Sequence, residues 1–214
     1  TAAVGKGFAI GSAALTTLAL LASFMTILKL DVIDIFNANN LAVLFIGSAL
    51  PFMFSAFVIN SVSASAEKIV EEVRRQFKGG EILRGKKKPN YDKVIKIATS
   101  SSIKGMFIPS LVVVLVTVIV GIVFGVESLG SFIVGVTATS FLLGLFMANA
   151  GGSFDNAKKF IEKGNFGGKG SDAHKAAVVG DTVGDPLKDT AGPSLNIVLK
   201  LVAIVSLLMA LILG

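Results

Sequence analysis

Long runs of residues without a charged side chain constrain this chain more than any other feature. Four such runs lie between charged residues: 22 residues between Lys6 and Lys29, 32 between Asp34 and Glu67, 22 between Lys104 and Glu127, and 27 between Glu127 and Asp155. A fifth run, from Ala191 to Gly214, is apolar apart from Lys200. A helix needs about 20 apolar residues to cross a bilayer. The sequence therefore predicts an all-α membrane protein, a multi-pass bundle with five transmembrane helices.

The charges divide the chain into spans and loops. Spans are expected at about residues 3–28, 40–65, 105–125, 129–150 and 190–213, which leaves longer loops at about 66–104 and 151–189. Of the twenty Lys and Arg residues, eleven lie in the first loop and six in the second. The loops follow spans two and four and so share one side of the membrane. Because basic residues concentrate in cytoplasmic loops, both are predicted to be cytoplasmic.

The composition excludes several functional classes. A hydrophobic content of 53%, a mean hydropathy of +0.79 and only 16% charged residues do not describe a soluble domain. The sequence has no Cys, which excludes a disulfide scaffold, a thiolate metal site and a cysteine nucleophile. The net charge of +6 arises in the first loop, whose only aromatic residues are Phe77 and Tyr91. No nucleic-acid partner is therefore expected, since base stacking needs aromatic side chains among the basic ones.

Three local features are predicted around the second span. Pro51 should kink this helix, because proline removes a backbone hydrogen bond. The helix should continue beyond the membrane, where Glu71 and Arg75 have the i, i+4 spacing of an exposed ion pair. The Gly79–Gly80 pair should end it.

The second loop contains the residues that indicate chemistry, since its six acids and six lysines recur at helical offsets. One helix face carries Asp155, Lys158 or Lys159, and Glu162. Further along the chain, three acids follow an i, i+4, i+8 pattern, with Lys188 beside the last of them: Asp181, Asp185 and Asp189. Carboxylates four residues apart on a helix repel one another unless a cation lies among them.

Two interpretations of these acids and lysines remain open at this point. Mg²⁺ binds carboxylate oxygens together with water and phosphate oxygens, and lysines hold phosphate as point charges, which together favour a magnesium-phosphate ligand. The alternative is a set of solvated helix ends with ordinary ion pairs, in which Asp185–Pro186 is an N-cap followed by a first-turn proline.

Other motifs carry less information. The glycines of residues 164–170 lack the spacing of a phosphate-binding loop, and residues 5–11 form no dinucleotide fingerprint because they open a membrane helix. His174, the only histidine in the sequence, is expected to be a structural or solvent-facing loop residue.

Lys200 lies about three helical turns inside the last span, counted from Asp189. A lysine at that depth marks an ion path or a partner carboxylate, or else its side chain extends toward the interface. None of the five spans contains an acid that could serve as the partner.

Four segments resemble the membrane-integral pyrophosphatases: TAAVGKGFAIGSA, EKIVEEVRRQF, GGSFDNAKKFIEKG and GSDAHKAAVVGDTVGDPLKDTAGPSLNIVLK. The resemblance covers essentially the whole chain. It implies a homodimer with about sixteen membrane helices per subunit in the cell (inner) membrane. Such a protein hydrolyses inorganic pyrophosphate with Mg²⁺ and pumps H⁺ or Na⁺ across the bilayer. This chain would supply the last five helices, residues 1–214 being the C-terminal part of that domain, and the preceding N-terminal helices would be needed for activity.

The resemblance also implies residue roles. It gives two Mg²⁺ ligands, Asp155 and Asp185, three lysines that hold pyrophosphate, Lys158, Lys159 and Lys188, and two catalytic acids, Asp181 and Asp189. Of these acids, Asp189 matches one of two aspartates that polarise the attacking water, and Asp181 belongs to the surrounding shell. Lys200 matches the lysine of the ion gate.

Ala2 and Gly5 match the residues of K⁺-dependent relatives, where K⁺-independent ones have Lys and Thr, so K⁺ is expected as a cofactor beside Mg²⁺. The chain departs from many relatives at Ser153–Phe154, where they have Ala–Trp, and this change should affect packing only. Two other functions remain as alternatives: a non-hydrolytic transporter of phosphate or metal-phosphate, and a structural membrane subunit.

Overall fold

The computed structural model describes residues 2–214, with side chains from residue 4 onward. These residues form six α-helices: α1 (Ala2–Ile27), α2 (Ala38–Phe77), α3 (Tyr91–Phe124), α4 (Leu129–Glu162), α5 (Asp172–Asp185) and α6 (Gly192–Leu213). Short 3₁₀ turns occupy Val126–Ser128 and Asn165–Gly167, and a π-helical segment, Pro186–Ala191, joins α5 to α6. No strand occurs within the described part of the chain.

Five helical stretches within residues 2–214 are long and apolar enough to cross a membrane. They are α1, α2, α3, the stretch from Val126 to the end of α4, and the continuous stretch from α5 through α6. The predicted fold class, an all-α multi-pass bundle, is confirmed. Each predicted span overlaps one of these stretches, while the membrane boundaries themselves stay a prediction.

The two predicted loops are largely helical. With 40 residues, α2 is about 60 Å long, twice the thickness of the hydrocarbon core. It remains one helix through Pro51 and ends at Phe77, before Gly79 and Gly80, whose φ values are positive. The side chain of Asn90 then accepts a hydrogen bond from the backbone N–H of Lys93 and starts α3. Charged residues thus end a membrane span without ending its helix.

Helix α4 lies at the centre of the bundle, in contact with α1, α2, α5 and α6. Small residues permit this packing. At the crossing with α2, a Cβ on Gly47 would lie 2.5 Å from the carbonyl oxygen of Phe132. Large apolar side chains, including Phe24, Phe54 and Leu195, fill the remaining core.

The exposed ends of α2 and α3 are held together by Glu72 rather than by the predicted Glu71–Arg75 pair. The Arg75 guanidinium donates two hydrogen bonds to the Glu72 carboxylate, at 2.6 and 2.9 Å, and Lys93 Nζ lies 3.0 Å from it. Gln76 bonds both Glu72 and the backbone of Asn90. Glu72 faces α3 and is buried, whereas Glu71 faces outward, so the prediction was wrong about the partner.

Glu72 should therefore fix the α2–α3 hairpin in a pH-dependent manner. Hydrogen bonds from Arg75, and then from Gln76 and Lys93, hold the pKa of Glu72 well below its ordinary range, although burial opposes them. A carboxyl group with a lowered folded pKa stabilises the fold at neutral pH. That contribution is lost as the pH falls below the ordinary glutamate range.

We expect Glu72→Gln to speed backbone hydrogen exchange at the facing ends of α2 and α3 by roughly tenfold, because Arg75 and Lys93 lose a charged partner. Acidifying the wild type should loosen the same residues. Mass-spectrometric hydrogen exchange measures both effects, and Glu71→Gln is the matched control. Equal exchange in the two variants would contradict the role of Glu72.

Candidate functional site

The ammonium group of Lys188 is surrounded by three carboxylates. Its Nζ lies 2.7 Å from Asp185 Oδ1, 3.2 Å from Asp181 Oδ1 and 3.5 Å from Asp155 Oδ2. Asp155 is on α4, Asp181 and Asp185 are near the end of α5, and Lys188 is on the π-helical segment. One side chain, 15% exposed, thus links three elements.

Two lysines of α4 complete what we call the charge cluster: Asp155, Asp181, Asp185, Lys158, Lys159 and Lys188. Lys158 pairs with Asp181 and lies 3.6 Å from Asp155 Oδ1. Lys159 Nζ lies 2.6 Å from Asp155 Oδ2. The cluster brings together six of the seven acids and lysines proposed for the site and is neutral, with three charges of each sign.

Pairing favours the charged forms of Asp155, Asp181 and Lys188. The hydrogen bond from Lys159 holds the pKa of Asp155 below its ordinary value, against the effect of burial. Lys158 does the same for the pKa of Asp181, which is only 9% exposed. Burial alone would lower the pKa of Lys188, but hydrogen bonds to Asp185 and Asp181 outweigh it and raise that pKa.

The charge cluster contains groups that can bind cations and groups that can bind anions. Its carboxylate oxygens are of the type that hard divalent cations prefer, and its ammonium groups suit phosphate oxygens. Among the described residues, no three His, Cys, Asp or Glu side chains lie close enough together to hold a metal ion. Asp155 and Asp185 can therefore supply only part of a coordination shell.

Asp189 does not lie on the same helix face as Asp181 and Asp185, although the i, i+4, i+8 spacing of a regular α-helix predicts that it would. The intervening segment is π-helical, with the N–H of Gly192 bonded to the carbonyl of Leu187, five residues earlier. Pro186 is the first residue of this segment and Pro193 lies just after it, in the first turn of α6. Neither proline can donate the backbone hydrogen bond of an α-helix. The wider turn directs Asp189 toward α1, where Lys6 Nζ lies 2.5 Å from its Oδ1.

Close contact between α4 and α5 depends on Gly151. A Cβ at this position would lie 2.5 Å from the carbonyl oxygen of Gly184 and 2.6 Å from Lys188 Cβ. The ring of Phe154 packs over Gly184 in the same interface. Only glycine allows the backbones to approach closely enough for Asp155 to reach Lys188.

Glu162, predicted on the face of Asp155, lies outside the charge cluster. Its Oε1 is 3.1 Å from His174 Nε2, and His174 Nδ1 accepts a hydrogen bond from the backbone N–H of Gly170. His174 lies in the first turn of α5 rather than in a loop. Both residues close the connection between α4 and α5.

The remaining predicted site residues lie apart from the charge cluster. Lys200 is on the exposed face of α6, and none of the described residues forms an ion pair with it. Gly5 is exposed on the first turns of α1, with open space around it. Ala2 belongs to α1, but its side chain lies outside the described residues.

Sequence reasoning missed Lys6 and Gly151. Lys6 is the only charged residue of α1, and a single charge in an apolar helix is a signal for a partner. Gly151 is one of 23 glycines, and its spacing does not distinguish it from the others.

Sequence comparison shows which known proteins this chain is similar to. A family model described as inorganic H⁺ pyrophosphatase matches residues 1–209. A putative K⁺-stimulated pyrophosphate-energised sodium pump of Clostridium tetani is 53% identical over 98% of this chain and 31% of its own length. A K⁺-insensitive pyrophosphate-energised proton pump of Chloroflexus aurantiacus is 47% identical over 98% of the chain and 29% of its length. The chain thus spans about a third of the length of these relatives.

We expect Gly151→Ala to destabilise the protein by about 1–3 kcal/mol, because the new methyl group would overlap backbone atoms that cannot rotate away. Thermal unfolding in detergent measures the loss. Gly11→Ala is the matched control, since it adds the same methyl group to a helix with nothing within 4 Å. An unchanged transition temperature in Gly151→Ala would contradict the close crossing of α4 and α5.

Proposed function

This chain belongs to the inorganic H⁺ pyrophosphatase family, and we propose that it forms part of a membrane pump that hydrolyses pyrophosphate to move H⁺ or Na⁺. The names of the relatives support this, since they describe proton or sodium pumps energised by pyrophosphate. Because the chain spans a third of their length, further helices of a longer polypeptide would complete the site. The assembled pump is proposed to be a homodimer.

The charge cluster is the observation that carries this proposal. Its three lysines and three aspartates compensate one another in the described chain. Magnesium pyrophosphate carries both positive and negative charge, so it would replace the ion pairs between these lysines and aspartates. Phosphate oxygens would take the ammonium groups of Lys158, Lys159 and Lys188, and the carboxylates would face the cation.

The donor set of the cluster fits Mg²⁺ in kind, because Asp155 and Asp185 offer carboxylate oxygens beside a phosphate-binding surface. Since no group of three acids lies close together within the described residues, water, substrate and the rest of the polypeptide would supply the other ligands. The chemistry that bound Mg²⁺ supplies is neutralisation of the pyrophosphate charge.

Asp189 is proposed to orient the attacking water, and Asp181 to hold Lys158 and Lys188 in place. The water oxygen forms a bond to phosphorus while the bridging P–O bond breaks. The electron pair of that bond leaves with the second phosphate, and the water proton passes to an acceptor carboxylate. Asp189 Oδ2 suits this role, since no described residue donates a hydrogen bond to it.

Lys200 is proposed to belong to the ion path, with its partner acids on the remaining helices. Its place on an exposed apolar face of α6 supports this, because an ammonium group at that depth is costly without a partner. The charge cluster would then face the cytoplasm in the cell membrane, as the distribution of basic residues predicts.

The central test is phosphate release from pyrophosphate by the full-length protein in vesicles, together with ion uptake. We expect the wild type to be active and Asp189→Asn to lose at least about 10²-fold in kcat while it still binds pyrophosphate, because an amide orients water poorly. Asp172→Asn, an exposed acid of the same helical stretch, is the control and should remain active.

An inactive full-length wild type would refute the proposed reaction. Full activity of the isolated 214-residue chain would refute the proposal that its site is incomplete. Binding of pyrophosphate without its hydrolysis would favour a phosphate transporter.

The proposed K⁺ requirement rests on Ala2 and Gly5. We expect phosphate release by the full-length wild type to rise on addition of K⁺, and Ala2→Lys to be insensitive to it, since a tethered ammonium replaces the soluble cation. Activity titrated with K⁺ at constant ionic strength measures this. Equal K⁺ responses of the wild type and Ala2→Lys would contradict the assignment.

A further inference from the structure

The two helices of the α2–α3 hairpin are joined at two levels and leave a cavity between them. At the first level, Gly105 lies so close to α2 that a Cβ there would overlap Ser61 Oγ. At the second, Glu72 pairs with Arg75 and Lys93. Ser61 and Glu72 are eleven residues apart, or about 16 Å along the helix. A cavity of about 260 Å³ extends from the first level toward the second.

The π-helical segment forms the third wall of this cavity. Thr190 contributes to the lining, and it directly follows Asp189 in the chain. The buried Val58 and Met106 close the inner end, where Ser194 Oγ of α6 lies 4.0 Å from Met106 Sδ. All the lining residues lie outside the charge cluster. The cavity is therefore a separate feature that adjoins the segment between α5 and α6.

The chemistry of the lining suits an uncharged amphiphile. Every lining residue is uncharged, and most are apolar. Four hydroxyl groups interrupt the apolar surface: Ser61, Ser65, Ser102 and Thr190. Ser65 Oγ donates to the backbone carbonyl of Ser61, whereas the other three hydroxyls form no hydrogen bond with the described residues. A free hydroxyl can donate and accept a hydrogen bond, so it can hold a polar head group while the apolar walls take an alkyl body.

The size and position of the cavity limit the ligand further. Its volume equals that of about nine water molecules at about 30 Å³ each, which suits a body of about ten non-hydrogen atoms. The cavity lies where spans two and three are predicted to leave the membrane, near residues 65 and 105, so a ligand can enter from the headgroup region. A charged ligand would find no counter-ion on this lining, and burial of an unpaired charge is costly.

We propose that this cavity binds an uncharged amphiphile with one hydrogen-bonding head group, and that the bound molecule restrains the π-helical segment through Thr190. The inference goes beyond the proposed pyrophosphate hydrolysis and does not depend on it. The ligand contacts α2, α3 and Thr190 together only while the segment keeps its present position. Binding therefore stabilises that position by mass action.

The test uses full-length protein in vesicles and an octanol that carries a photoreactive diazirine. Light should attach this probe within residues 58–69 and 98–106, and excess 1-octanol should block the labelling. Ala98→Phe fills the cavity from α3 and should lower the labelling by at least about tenfold, because the probe no longer fits without displacing the ring. Ala64→Phe is the matched control, since it adds the same ring at an exposed position of α2 outside the lining.

A second pair of variants tests the hydroxyl groups. Thr190→Val has nearly the same shape without the hydroxyl, so it should weaken probe binding by about two- to tenfold, the loss of one hydrogen bond. Thr99→Val removes an exposed hydroxyl of α3 outside the cavity and should bind the probe as the wild type does. This pair decides the question if Ala98→Phe does not fold.

Hydrogen exchange at residues 187–192 measures the restraint. At ten times the 1-octanol concentration that blocks half of the labelling, exchange there should slow by about tenfold in the wild type and stay unchanged in Ala98→Phe. Labelling that does not saturate, or equal labelling of Ala98→Phe and Ala64→Phe, would overturn the binding site. Saturable labelling with unaltered exchange at residues 187–192 would overturn the restraint.

Discussion

The ion pairs of Lys188 determine how the ends of the helices are arranged. Its ammonium group contacts carboxylates from α4 and α5, while its own backbone belongs to the π-helical segment. Charged groups this buried are costly unless they are paired and hydrogen-bonded, and removal of one partner leaves the other uncompensated. The charge cluster therefore holds the helix ends together in a single arrangement, and a ligand that carries both charges can replace its internal pairs.

Backbone features make these ion pairs geometrically accessible. Gly151 lets α4 approach α5 closely enough for Asp155 to reach Lys188, and the π-helical turn after Pro186 directs Asp189 away from the other acids. A straight α-helix would have placed all the acids of this stretch in one repelling row. The turn instead divides them between two cations, Lys188 and Lys6. The result is one group of acids paired with Lys158, Lys159 and Lys188, and one acid, Asp189, apart from them.

The sequence was sufficient for the fold class and for most members of the charge cluster, because uncharged runs and helical spacing report on local structure. It was insufficient where the outcome depended on contacts between distant segments. Lys6 and Asp189 lie 183 positions apart, so no local pattern could pair them. Helical spacing predicts Glu71 as the partner of Arg75, whereas the actual partner is Glu72, because spacing along one helix does not reveal which face meets α3. The π-helical turn likewise altered a register that a 3.6-residue period assumes to be uniform.

The proposed chemistry and the proposed ion path share one rod. Asp181, Asp185, Lys188, Asp189 and Lys200 all belong to the continuous 42-residue stretch from Asp172 to Leu213. Asp189 and Lys200 are separated by eleven residues, or about 16 Å along a helix. Any change in the charge cluster that shifts this rod also moves Lys200 relative to the other helices. If the complete protein couples hydrolysis to transport, a long relay of side chains is not required. A helical rod with two stable positions would suffice, provided that the substrate and the transported ion each bind more tightly in one position than in the other.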